Sequence, residues 1–77
     1  MEKGDVVIST SGSDTGKVYV VTGESEKGYL LLADGKRHAL ARPKRKNSRH
    51  VKNTGIRINV PKFDYQLIKL IKELKIL

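Results

Sequence analysis

Seven cations fall within residues 37–52: Arg37, Arg42, Lys44, Arg45, Lys46, Arg49 and Lys52. Residues of this kind at this density suit one chemistry, the gripping of a phosphate backbone. Arginine holds phosphate in a bidentate fork, while lysine acts as a compact point charge. Lys36 extends the run, and His50 lies inside it, placed to meet a phosphate or a base. The surrounding charge is uneven. Residues 1–34 carry a net charge of −3, residues 35–63 carry +10 with no acid at all, and residues 64–77 carry +1. A solvated surface normally mixes both signs. A block of one sign raises the local potential and attracts polyanions.

Other chemistries find less support. Gly12 and Gly16 bracket a polar loop closed by Lys17, with a superficial likeness to a nucleotide-binding P-loop. That motif needs four residues between its glycines and a Ser or Thr after the Lys. Here three residues intervene and Val18 follows, so no nucleotide site is expected. His38 and His50 lack cysteine or nearby acids as co-ligands, so no metal or other cofactor is expected. No nucleophile stands with a base and an orienting acid, so the chain does not read as an enzyme. Asp14 and Asp34 read as turn residues. Aromatics number only four, Tyr19, Tyr29, Phe63 and Tyr65, which argues against readout by base stacking. The two strand tyrosines, Tyr19 and Tyr29, read as half-buried.

These side chains need a scaffold, and 77 residues supply one small domain without a disulfide. Val6-Val7-Ile8, Val18–Thr22 and Tyr29–Ala33 read as strands separated by Gly-rich polar turns. Asp34-Gly35 reads as a two-residue hairpin, followed by a fourth strand over Arg37–Arg42 that ends at Pro43. After Gly55 the pattern changes to a brief extended segment, Ile56–Val60, and then a helix. Asp64 is the expected N-cap, with Phe63 packing on Ile68 as a hydrophobic staple. Leu67, Leu70, Ile71 and Leu74 form its apolar stripe, widened by Ile68 and Leu77. The expected organisation is a β unit over residues 1–55, with residues 56–77 packed on it.

Gly4-Asp5-Val6-Val7-Ile8, the loop ending in Gly16-Lys17, and Val18–Thr22 together resemble the KOW motif. Ala33-Asp34-Gly35-Lys36 and Pro43-Lys44-Arg45-Lys46-Asn47 extend the likeness to the KOW-domain large-subunit ribosomal proteins of eukaryotic and archaeal type, and to their short bacterial relatives. The resemblance covers about residues 2–55. It implies an all-β fold, a small SH3-like (KOW) five-stranded barrel completed by a short fifth strand around Ser48–Val51, with a C-terminal α-helix. It also implies binding to RNA, in particular ribosomal RNA of the large subunit. Gly16 then matches the glycine of the KOW loop, Gly12 belongs to the same loop framework, and Lys17 is placed to reach RNA. Lys36, Arg37, Arg42, Lys44, Arg45, Lys46, Arg49, His50 and Lys52 complete the expected RNA face. The rival reading is a protein-interaction module of a transcription or translation complex, using the acidic first half and the apolar helix. No segment approaches the ~20 apolar residues that span a bilayer, and no signal peptide opens the chain. A cytoplasmic protein, monomeric when free and away from membranes, is therefore expected.

Overall fold

The computed structural model describes residues 1–75; the expectation for Leu77 lies outside them. Five strands form one antiparallel sheet: β1 (Asp5–Ser9), β2 (Val18–Glu24), β3 (Tyr29–Ala33), β4 (Lys44–Asn47) and β5 (Val51–Arg57). Their order is β4-β3-β2-β1-β5, and α1 (Asp64–Leu74) follows. The two edge strands, β4 and β5, are consecutive in sequence and joined only by a 3-10 turn, Ser48–His50. In a flat sheet these edges would lie about 19 Å apart, four strand spacings. A three-residue turn spans far less, so the sheet must curl until its edges approach at that end. The Lys46 ammonium accordingly reaches the Ser11 carbonyl at 3.0 Å, and Thr10 N donates to the His50 carbonyl at 2.8 Å. The sheet nevertheless stays open.

Cross-strand register sorts the side chains onto two faces. Val7 opposes Tyr19, and Val21 opposes Leu32. These four join Leu30 and Val51 in a cluster on the concave side. On the outer side Val20 opposes Ala33, and Leu67 of α1 packs against both, with Leu40, Ile58, Val60 and Ile71 around them. The helix forms because its apolar residues recur at helical spacing and have a sheet face to cover. Leu67 is fully buried there.

Several elements differ from the sequence reading. Residues Arg37–Arg42 form no strand, and Asp34-Gly35 is not a two-residue hairpin. The Asp34 carboxylate accepts backbone N–H groups from Lys36 (2.9 Å) and His38 (3.0 Å). These bonds fold the segment into a compact loop, a local alternative to a ladder. The strand after it is β4, which begins at Lys44, just past Pro43, where the expected fourth strand ends. Ser48–His50 are the 3-10 turn, and the fifth strand begins at Val51 and runs through Gly55 to Arg57. The helix N-cap is Phe63 rather than Asp64. Asp64 instead accepts Leu40 N at 2.7 Å, tying the loop to the helix start. Gln66 Oε1 accepts Phe63 N at 3.3 Å and satisfies that end. Phe63 stacks on Tyr65 and stays exposed, in place of the staple on Ile68. Gly35 (φ 83°) lets loop and helix meet closely: a Cβ there would lie 2.6 Å from the Asp64 carbonyl oxygen and 3.0 Å from Ile68 Cγ1.

Candidate functional site

The β1–β2 loop holds Asp14 in a turn, as its residue type suggests, but carries it inward into a buried position. Gly12 (φ 92°) and Gly16 (φ 89°) supply the left-handed backbone for this excursion. Asp14 is buried and takes four hydrogen bonds. Oδ1 accepts from Ser9 Oγ (2.8 Å) and Lys46 Nζ (3.0 Å). Oδ2 accepts from Tyr19 Oη (2.9 Å) and Lys44 Nζ (3.0 Å). Burial alone would raise its pKa, but the bonds from Lys44, Lys46, Ser9 and Tyr19 outweigh it and hold the carboxyl well below the usual carboxylate range. Burial, and then the bond to Asp14, push the Tyr19 phenol well above its ordinary value. Tyr19 is thus a fully buried structural residue rather than a half-buried one.

Strand parity explains why the lysines turn inward. Lys44 opposes Leu32 and Lys46 opposes Leu30, so both share the concave face with core residues. Arg45, between them, opposes Leu31 and points outward. Its guanidinium lies 4.4 Å from the centre of the Tyr29 ring and pairs with Glu26. The Lys44-Arg45-Lys46 run, expected on the RNA face, therefore has partners within the chain for its charges. Lys44 and Lys46 share Asp14 and Arg45 pairs with Glu26, both acids from the first half of the chain, and the Lys46 side chain is only 10% exposed. Arg57 belongs to the same pattern, bonding Asp5 at 2.9 Å and Glu2 at 2.8 Å. The backbone bond from Glu2 and the Arg57 guanidinium hold the Asp5 carboxyl below its usual range.

The remaining cations are disposed differently. Lys17, Lys36, Arg37, Arg42, Arg49 and Lys52 are exposed and make no ion pair among the described residues. Lys17 and Arg37 stand on the rim of a cleft of about 430 Å³, with Lys44, Asp14 and Tyr19 beneath and His38 beside Tyr19, ring centres 6.0 Å apart. Lys17 and Asp34 also border a second hollow that continues to the helix, where Lys36 and Lys72 flank Val18, Ile68 and Ile71. The two hollows share Lys17 and Asp34 in their linings, one on the concave side of the sheet and the other on its outer side beside the helix, and together they make a grooved region with a cationic rim. Its acids are already engaged: Asp14 is outnumbered by Lys44 and Lys46, and Asp34 is bonded to two backbone N–H groups. The net charge along the groove stays positive.

Of the expected RNA-face residues, the structure gathers Lys17, Lys36, Arg37 and Lys44 at this groove. Lys52 opposes Ile8, which opposes Val18, so it shares the outer sheet face with the second hollow only. Arg42 lies on the loop before β4, while Arg49 and His50 lie on the 3-10 turn; none lines the groove. Sequence reasoning missed His38 and Lys72 as lining residues. The Asp34 turn carries a local signal for His38, but Lys72 enters only because the helix returns across the sheet.

No family model and no curated protein matches this chain.

Proposed function

We propose that this chain is an RNA-binding module of the KOW, SH3-like kind, acting on ribosomal RNA of the large subunit or on a particle derived from it. The observation that carries the reading is the division of the cations. Those on β4 neutralise the protein's own acids, whereas Lys17, Lys36 and Arg37 make no ion pair among the described residues and stand on the rim of a positively charged groove. Polyphosphate binding needs fixed cations with no internal partner, held by rigid elements. The Asp34 turn is tied by its bonds to Lys36 N and His38 N, and the glycine-framed loop by those from Gly16 N to the Ser9 carbonyl and Lys17 N to the Asp14 carbonyl. The curled five-stranded sheet and the approach of its edges support the SH3-like part of the proposal. Contacts of this type set register and affinity and read little sequence.

The protein-docking alternative has less surface to work with. Glu2, Asp5, Asp14 and Glu26 are paired within the chain, and Leu67 and Ile71 of the helix pack on the sheet. Charge reversal separates the readings. Reversing Lys46 would set a carboxylate against Asp14 and damage the fold, so the clean test is Lys17→Glu with Arg37→Glu, both exposed. RNA and large-subunit binding should fall by at least tenfold, with circular dichroism unchanged. The wild-type affinity should fall with salt at a log–log slope of about −2 for three phosphates. Undiminished binding by the reversed variant would remove the groove from the mechanism.

A further inference from the structure

We propose that the groove beside Tyr65 is a second site, which takes one unpaired nucleobase of an RNA strand. It rests on the RNA-binding reading and extends it to a different face. Four aromatics are few for stacking, but the fold does not use them equally. Tyr19 is sealed in the core, and Tyr29 is covered by Arg45. Phe63 and Tyr65 are left 52% and 68% exposed, with ring centres 5.7 Å apart and ring planes within 15° of each other. The helix start thus presents a pair of nearly parallel rings to solvent.

Beside Tyr65 lies an open groove of about 590 Å³, lined by Pro61, Tyr65, Gln66, Lys69, Leu70 and Glu73. Its chemistry is that of a base and its phosphate. Pro61, Leu70 and the Tyr65 ring offer apolar and π surface, and every nucleobase has a π-face to lay on it. Lys69 within the groove and Lys62 next to Phe63 are exposed and make no ion pair among the described residues, so they can meet the flanking phosphates. The Glu73 carboxylate can accept from an exocyclic amino group. Gln66 Oε1 is occupied by Phe63 N, which leaves its amide N–H groups as donors. A base paired in a duplex keeps its faces stacked on neighbours, so the site selects unpaired nucleotides.

The test compares binding of a fluorescein-labelled, mixed-sequence RNA decamer as a single strand and as a blunt duplex. Tyr65→Ala should weaken single-strand binding by about 5- to 150-fold, the range for losing one stacked base. Duplex binding should change less than twofold, and Tyr65→Phe should keep the single-strand affinity. Equal losses for both probes, or no loss for the single strand, would overturn the site. A wild-type protein that binds duplex but not single strand would also overturn it while leaving the main groove intact. If the wild type binds neither probe, both readings fall together. Lys17→Glu with Arg37→Glu should reduce duplex binding, which Tyr65→Ala leaves alone. Sedimentation of the wild type and of Tyr65→Ala closes the remaining route: a dimer lost on substitution would assign the aromatic face to a second copy and refute the proposal.

Discussion

Replacing Asp14 by Asn is the sharpest perturbation the fold permits. The side chain keeps its size and can still accept from Tyr19 or Ser9, but the negative charge is gone. Lys46, only 10% exposed, and Lys44, 29% exposed, then face each other across a neutral amide. Removing one partner of a buried ion pair costs about 3–5 kcal/mol, mostly from the charge left behind. The low end applies here, because Lys44 can turn toward water, so a loss of about 3 kcal/mol is expected. For a domain of this size that is a drop in Tm of about 12–24 °C. Urea denaturation followed by circular dichroism at pH 7 measures the loss directly. Adding Lys46→Met to Asp14→Asn should restore part of the stability, since the stranded charge is then removed, and a double-mutant cycle isolates that coupling. The pH dependence supplies a second signature. The folded carboxyl titrates far below the unfolded value of about 3.9. Its contribution is therefore present above that value and fades as pH falls below it. The gap between wild type and Asp14→Asn should narrow below about pH 4. A loss under about 1 kcal/mol, within the range of an exposed pair, would refute the reasoning. It would also return Lys44 and Lys46 to the cations without a firm partner in the chain.

Further outcomes follow from single contacts. Gly35→Ala should destabilise more than Gly16→Ala, as read by thermal melts. Both positions have positive φ, but only at Gly35 would the new methyl meet backbone, the Asp64 carbonyl oxygen, whereas nothing lies within 4 Å at Gly16. Alkaline titration followed by tyrosinate absorbance should show Tyr19 ionising last, because burial and Asp14 raise its pKa. Stability should correspondingly fall as pH rises above about 10, where the unfolded tyrosine ionises and the folded one does not. If all tyrosines titrate together, the buried Tyr19–Asp14 bond is absent in solution.

What the sequence determined by itself is local. Apolar runs broken by glycine turns mark β1, β2 and β3 within a residue or two, because alternation and turn chemistry act over short distances. The helix was legible from its spacing for the same reason, although its cap shifted by one residue once Asp64 found a partner 24 residues away. The block free of acids showed that cations were plentiful, not which were free. That was decided by tertiary structure. Asp14 reaches Lys44 and Lys46 across 30 and 32 residues only because the sheet curls and β4 turns alternate side chains inward. The Arg37–Arg42 segment alternates well enough for a strand, yet the Asp34 carboxylate and the Asp64 side chain claim its backbone donors first. Charge is a property of residues, but availability of charge is a property of distances, and those distances exist only after the chain has folded.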